Sequence, residues 1–360
     1  MKAVSDKPIL VTGGAGFIGS NLADRLATQG RKVRIFDALS RDGVEQNLEW
    51  LSKRHGDLIE IEIADLRDEQ RLRSAIRGSE GIFHFAAQVA VTTSMTDPVL
   101  DFEANVASTF RLLEAVRELT PQAPVIFAST NKVYGDLEDV TFQTTDRGCR
   151  PASAELARKG VSEDQPLDFH TPYGCSKGAA DQYVLDYARS YGLRAAVLRM
   201  SCIYGQRQLG TEDQGWVAHF LIRALNGETI TLFGDGEQVR DVCDVADTCD
   251  AYLAAFDNID AISGRAFNWG GGPDNAISLL SLLEEIGTIT GHMPKIEFAA
   301  SRPGDQRWFV ADTSAADRAL GLAPRKPWKQ GVRELARWLM ENRNLAQGER
   351  VDTARQVATL

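Results

Sequence analysis

Ile9-Leu10-Val11-Thr12-Gly13-Gly14-Ala15-Gly16-Phe17-Ile18-Gly19 runs from an apolar strand through a glycine loop into a helix. Gly13 permits a tight turn, Gly16 lets the backbone approach a pyrophosphate, and Gly19 lets helix and strand pack closely. The helix N-terminus, opened by Phe17 and Ile18, offers amide donors and positive potential to phosphate. Glycine-rich turns are common on their own, so the weight rests on the strand–loop–helix context, which is that of a dinucleotide site.

Outward from this loop the chain alternates. Strands are expected at Ile9–Val11, Lys32–Phe36, Leu58–Ala64, Gly81–Ala87, Pro124–Ser129 and Arg194–Met200, and helices at Phe17–Gln29, Asp68–Arg77, Asp101–Leu119 and Pro172–Tyr191. Strands spaced by helices imply right-handed β-α-β units. The fold class expected is α/β, a Rossmann-like doubly wound parallel sheet over residues 1–200. After about Ser201 the pattern loosens. Short strands (Ile230–Phe233, Arg265–Gly270, Lys295–Phe298) mix with helices (Trp216–Asn226, Ala246–Phe256, Leu279–Thr290, Trp328–Asn342), as in a smaller C-terminal α/β substrate-binding lobe over 201–342. Residues 343–360 read as a polar tail. Leu137 to Phe169 is polar and aperiodic and reads as a long functional loop.

Composition excludes several classes. The 360 residues are 43% hydrophobic and 25% charged, as in globular proteins. No apolar run approaches the ~20 residues of a membrane span. Met1–Ser5 passes at once into a strand without the apolar core of a secretion signal, so a cytoplasmic protein is expected. Five cysteines without Cys-x-x-Cys spacing read as free thiols. Five scattered histidines give no metal-ligand pairing. With a net charge of −10 and no dense basic run, nucleic acid is not an expected partner. An anionic substrate must then be held by local arginines.

Asp37 ends the second strand, where a carboxylate accepts both ribose hydroxyls of NAD and repels the 2′-phosphate of NADP. Arg41 stands close enough to receive that phosphate instead, so the choice favours NAD without closing the question. Asp65-Leu66 ends the third strand and is placed to meet the adenine amino group. A helix cap for the segment from Arg67 is the competing role for Asp65.

Thr171-Pro172-Tyr173-Gly174-Cys175-Ser176-Lys177 opens a helix, with Thr171 as cap and Pro172 in the first turn. Tyr173 and Lys177 are four apart and share a face. A free phenol, with a pKa near ~10, is a poor base at neutral pH. A neighbouring ammonium, the positive helix end and a cationic nicotinamide would each favour the phenolate. Tyr173 could then take a hydroxyl proton while hydride leaves the same carbon. Ser129-Thr130-Asn131-Lys132-Val133-Tyr134-Gly135 closes the fifth strand, so Thr130 is placed to bond the reacting hydroxyl or Tyr173, or merely to cap the next turn.

Glycine loop, threonine-bearing strand end and Tyr-x-x-x-Lys helix, in this order, resemble the extended short-chain dehydrogenase/reductase family of nucleotide-sugar epimerases and dehydratases. The resemblance spans Pro8 to about Leu339. It implies a catalytic triad of Thr130, Tyr173 and Lys177. It also implies NAD contacts at Ser129, at Ala86, Ala87 and Gln88 beside the ribose, and at Asn105 near the phosphates. The stretches Gln88–Ser94, Ser129–Asp136, Leu167–His170, Pro172–Asp181 and Asp213–Trp216 are similar to the branch that inverts carbon 2 of a CDP-linked dideoxyhexose. That branch oxidises carbon 2 to a ketone, lets the ketosugar reorient and returns the hydride to its other face. Thr92, Cys202, Arg207 and Gln214 are the implied sugar-nucleotide contacts, although Cys202 reads equally as a buried structural thiol. Gly234-x-Gly236-x-Gln238-x-Arg240 and Arg302-Pro303-Gly304-Asp305-Gln306-Arg307 resemble segments whose arginines meet a diphosphate. Ala87 stands where that branch has glycine, and 137–166 matches poorly.

Three other functions remain in view. A 4,6-dehydratase usually carries Asp-Glu directly after the threonine, where this chain has Asn131-Lys132. A UDP-hexose 4-epimerase needs the same triad. A non-catalytic NAD-binding protein would commonly lack the tyrosine or the lysine. The expected partners are a CDP- or UDP-linked sugar and a second copy of the chain. Family dimers form through helices matching 101–119 and 172–191, where Ala179, Ala180 and Ala188 permit close packing.

Overall fold

A computed structural model describes residues 6–146, 148–302 and 304–342; Met1–Ser5 and the tail at 343–360 lie outside the described residues. The first half alternates β1 (Ile9–Thr12), α1 (Phe17–Thr28), β2 (Val33–Asp37), α2 (Glu45–His55), β3 (Ile59–Ile63), α3 (Glu69–Ile76) and β4 (Gly81–His84). Next come α4 (Val91–Thr96), α5 (Pro98–Phe102), a π-helical turn at Glu103–Ala107, α6 (Ser108–Leu119) and β5 (Val125–Thr130). A hairpin of β6 (Phe142–Thr145) and β7 (Gly148–Pro151), then α7 (Ala154–Lys159), leads to α8 (Thr171–Tyr191) and β8 (Ala195–Met200). The polar stretch at 137–169 is thus partly folded. Three of the four β6 residues face solvent, so the strand shows no apolar alternation.

Among the described residues the main sheet has seven strands, in the order β12-β8-β5-β4-β1-β2-β3, all parallel. The order reverses between β1 and β4, whose ends Thr12 and His84 stand opposite each other. Such a reversal opens a crevice at the carboxyl ends of the strands. β1, β4 and β5 are buried along their whole length because helices cover both faces. Ile9, Ile35 and Phe83 pack with Leu22, Leu26 and Tyr252 on one face; Leu10, Phe36 and Val125 pack with Leu112, Val116 and Val184 on the other.

Beyond β8 follow β9 (Cys202–Tyr204), α9 (Trp216–Leu225), β10 (Ile230–Phe233), β11 (Val239–Asp244), α10 (Val245–Asp257), α11 (Ile259–Ile262) and β12 (Ala266–Trp269). Then come β13 (Ala276–Ser278), α12 (Leu279–Thr290), β14 (Ile296–Ala299), β15 (Trp308–Phe309), α13 (Ser314–Leu320) and α14 (Trp328–Glu341). β12 pairs with β8, so the main sheet takes its outermost strand from beyond residue 201. The remaining strands form small sheets around β11 and between β10 and β14, over a core that includes Phe220, Leu221, Leu232, Leu282 and Leu335.

A buried ion pair seats α8. Asp181 accepts from Arg199 of β8 through both oxygens, at 2.9 and 3.0 Å. The Asp181 side chain is 0% exposed and that of Arg199 6%. Arg199 Nη1 also donates to Tyr134 Oη at 3.0 Å, and Tyr134 donates to Asn268 Oδ1 at 2.8 Å. The turn after β5 and strands β8 and β12 are thereby joined to α8. Asp181→Asn leaves the guanidinium buried without its counter-charge, which costs about 3–5 kcal/mol. Urea unfolding at pH 7 is expected to show a loss of that size.

Candidate active site

The glycine loop lies in the crevice between β1 and β4. Gly13 has φ +70, and a Cβ there would stand 2.7 Å from Ala86 N. A Cβ on Gly19 would stand 2.2 Å from Gly13 O, so α1 starts against the loop with room for hydrogen alone. Phe17 and Ile18 turn their side chains to the core, which leaves their backbone for phosphate. Asn47 of α2 donates to Ala15 O at 2.9 Å and props the loop from below.

Asp37 accepts from Ala15 N and Leu39 N, each at 2.9 Å, so its carboxylate clasps the glycine loop. Burial raises its pKa, and those amides oppose the rise. Arg41 is turned away to Gln214 Oε1. Asp65 forks onto Arg67 at 2.9 and 2.7 Å, while the cap of α3 is Asp68, which accepts from Arg71 N at 3.1 Å. The cap reading of Asp65 therefore fails, because the helix begins later, at Glu69. Leu66 is buried in the core, leaving its backbone at the strand end.

Ala86 N donates to Thr12 Oγ1 at 3.3 Å, and Gln88 locks its own loop onto Ala90. Asn105 sits in the π-helical turn, a feature that often marks functional positions. Its amide accepts from Gln88 N at 2.8 Å and donates to Gln88 O, Asp101 and Ser176. With its hydrogen bonds made inside the protein, Asn105 positions the loop after β4 against α8.

Tyr173 and Lys177 lie on the inner side of α8, 8% and 4% exposed. Thr171, the first residue of the helix, has φ +61, a strained value for a β-branched residue. Its Oγ1 accepts from Gly174 N at 3.3 Å, and Ser94 Oγ accepts from Tyr173 N at 3.2 Å. His170, just before the helix, bridges Asp136 at 3.3 Å and Asp168 at 3.0 Å, which raises its pKa. Thr130 lies close enough to Tyr173 to act on its phenol, while its own Oγ1 donates to Asn131 Oδ1 at 3.3 Å and accepts from Lys132 N at 3.2 Å. Lys177 Nζ donates to Ala128 O at 2.6 Å and stands 4.2 Å from the centre of the Phe127 ring.

Burial works against the phenolate in the protein alone. Burial pushes Tyr173 up to about 12; Asp101 adds to the rise and Thr130 opposes it. Burial also lowers Lys177 to about 7, against the pull of Asp181 and Asp101. Burial drives both groups toward their neutral forms. Burial, with Lys177 adding to it, lowers the His84 imidazole to about 3.

The residues fit a dinucleotide. The glycine cradle and Asp37 suit the pyrophosphate and a ribose, while the buried oxygens Ser129 Oγ and Thr92 Oγ1 find no hydrogen-bond partner among the described residues. Ser129 on β5 and Ala86–Gln88 after β4 would hold the nicotinamide side.

The substrate candidates divide. Arg240 donates to Asp305 at 2.9 Å and to Gln306 O. Arg302 donates to Glu212 O at 2.9 Å and lies 3.5 Å from the Phe233 ring centre. Lys132 and Arg240 act electrostatically on Cys202, and burial raises its thiol pKa. Arg207 is held elsewhere. Its guanidinium stacks 3.4 Å from the Trp50 ring centre and 5.7 Å from that of Trp338, with Nη1 3.4 Å from Asn47 Oδ1. Flat indole faces hold the planar cation there. The sequence reading missed Ser94, Ser176, Asp101 and Gln306, whose partners lie far along the chain. All five cysteines are free, and no His/Cys/Asp/Glu cluster fit for a metal occurs among the described residues. Nor is any described helix long and apolar enough to cross a membrane.

Comparison with known proteins agrees with this geometry. A family model described as the NAD dependent epimerase/dehydratase family matches residues 9–270. CDP-paratose 2-epimerase of Salmonella typhi is 43% identical over 336 residues, 92% of this chain and 98% of its own. The UDP-glucose 4-epimerase of Thermus thermophilus, solved with NAD, superposes with a TM-score of 0.78 at 30% identity, covering 93% of this chain and 99% of its own. The UDP-glucose 4-epimerase of Thermotoga maritima, solved with UDP-glucose, gives the same TM-score, identity and coverage.

The depressed lysine makes a signed prediction. Below pH 7 folded and unfolded chains both carry the Lys177 charge, and its burial penalty is fully felt. Between about 7 and the ordinary 10.5 the folded protein has shed the proton and the unfolded chain has not, so stability rises with pH. Thermal scans from pH 6 to 10 should show the wild-type melting temperature gaining steadily on that of Lys177→Met. A gap that stays constant would contradict the assignment.

Proposed function

The chain belongs to the NAD dependent epimerase/dehydratase family and uses NAD, and on that premise we propose that it inverts carbon 2 of a CDP-linked dideoxyhexose, as in CDP-paratose to CDP-tyvelose. Residues 1–200 carry the cofactor and the triad, and 201–342 mainly carry the substrate.

Bound NAD supplies a hydride acceptor that returns the same hydride. Tyr173 takes the proton of the reacting hydroxyl, and Thr130, at the end of β5 beside the phenol, is placed to hydrogen-bond that oxygen. Tyr173, raised by burial, would serve as a base once a cationic ring stands beside its phenol. Lys177 steadies the developing phenolate. Thr92, Cys202 and Gln214 border the sugar side, and Arg240 and Arg302, held in place by their carboxylate and carbonyl partners, offer their remaining donors to the diphosphate. Once the ketone has formed, rotation of the sugar presents its other face and Tyr173 returns the proton.

The observation that carries this reading is the pair after the catalytic threonine. Asn131 and Lys132 supply an amide and an amine where water elimination needs acids. A UDP-hexose 4-epimerase is the second reading, favoured by the likeness to the two solved 4-epimerases. Purified protein should carry NAD and convert CDP-paratose to its carbon 2 epimer, seen by NMR of the product sugar. Tyr173→Phe should lower kcat by about 10²–10⁴-fold. Inversion at carbon 4 of a UDP-hexose, with carbon 2 untouched, would favour the second reading instead.

We also infer a homodimer through α6 and α8. Phe102, Phe110 and Tyr183 are 54%, 41% and 42% exposed on one face, and the Phe110 and Tyr183 rings meet at 5.7 Å. Clustered exposed aromatics of this kind mark interfaces. Light scattering should give twice the chain mass of 39.5 kDa, and Phe110→Glu should shift it toward the monomer.

A further inference from the structure

The two residues after Thr130 reach the same segment of the lobe. Asn131 Nδ2 donates to Gln306 Oε1 at 3.1 Å, and Lys132 Nζ donates to Gly304 O at 2.8 Å. Gln306, 0% exposed, answers by donating Nε2 to Gly135 O at 2.5 Å. Three hydrogen bonds thus tie one short stretch of the lobe to the turn that carries the catalytic threonine. That stretch also sets the arginines: it includes Arg302, its Asp305 carboxylate receives Arg240 at 2.9 Å, and its Gln306 carbonyl receives the same guanidinium. Gly304 has φ +72, and a Cβ there would stand 2.8 Å from Thr171 Cγ2, so the stretch passes directly over the start of α8.

We propose that Asn131 and Lys132 latch the segment bearing Arg302, Gly304, Asp305 and Gln306, and so set which carbon of the nucleotide-linked sugar reaches Tyr173. The physical argument is one of length. A diphosphate held by Arg240 and Arg302 is a fixed anchor, and the sugar extends from it toward the phenol. Raising or lowering the anchor by about one carbon–carbon bond presents a different ring carbon, and near-attack geometry tolerates errors well under that. The latch needs donors at both positions. A carboxylate at 132 could not donate to the Gly304 carbonyl and would repel it, and a carboxylate at 131 would lose the Nδ2 bond. Asn131 and Lys132 are positioning residues here: Lys132 acts through the arginines, and Asn131 acts through them and through Thr130, whose Oγ1 donates to Asn131 Oδ1 at 3.3 Å.

This proposal rests on the epimerase reading, and its test keeps the two apart. Wild type, Lys132→Arg, Lys132→Met and Asn131→Ala are titrated calorimetrically with CDP, which has the diphosphate and no sugar. The same proteins turn over the CDP-hexose and are quenched with borodeuteride, which marks with deuterium whichever carbon was a ketone. Lys132→Met is expected to weaken CDP and raise KM by about tenfold, as loss of a charged hydrogen bond would, with a smaller change in kcat. It should also place deuterium on a second ring carbon. Lys132→Arg restores the donor and the single labelled carbon. A folded Lys132→Met that binds CDP as wild type does, or labels the same one carbon, overturns the proposal. If that variant does not fold, Asn131→Ala is judged by the same two readouts. Should wild type label no carbon at all, the epimerase reading falls; the latch then stands or falls on the CDP titration.

Discussion

The seating of α8 on the sheet is the constraint on which the site depends. Tyr173 and Lys177 project inward because Asp181, one turn beyond the lysine, is forked onto Arg199 in a place that water does not reach. Two buried charges are tolerated there only because each meets the other in bidentate geometry and the spare guanidinium donor finds Tyr134. At the other end of the helix Ser94 and Thr171 hold the first turn, and Asn105 ties its middle to the loop after β4 through Ser176. The helix therefore cannot slide or turn relative to β5, which presents Thr130.

Burial sets the electrostatics of this site. Taking a phenol and an ammonium out of water drives both toward neutrality, and here the two shifts run in opposite directions along the pH scale. The arrangement suits a base that should act only when a cationic ring is in place. It also places a burden on stability, since a lysine buried at neutral pH opposes folding, and the apolar packing on either side of the sheet must offset it. Polar groups close to the triad are nearly all paired. Ser129 and Thr92 are exceptions at the positions where ligand atoms are proposed.

The lobe is joined to the cofactor half by more than the chain crossing between them. β12 returns to the main sheet, Arg302 reaches the loop at Glu212, and Gln214 of that loop holds Arg41 near the glycine loop. Cofactor and substrate segments thus share one hydrogen-bonded surround.

Much of this was legible along the chain. Gly13, Gly16 and Gly19 signal a loop where no side chain fits, Asp37 ends a strand, and Tyr173 and Lys177 share a helical face; each depends on residues a few positions apart, so local spacing carries it. The alternation of strands and helices likewise announced a parallel sheet from the glycine loop to β8. What spacing could not carry were partners far apart in sequence. Arg207, expected among the substrate contacts, packs against Trp50 and Trp338, and the cap that competed with the adenine role of Asp65 falls to Asp68. The sheet's last strand, the hairpin at 142–151 and the sign of the Tyr173 shift were likewise decided by the tertiary structure, because long-range pairing and desolvation exist only once distant segments have packed together.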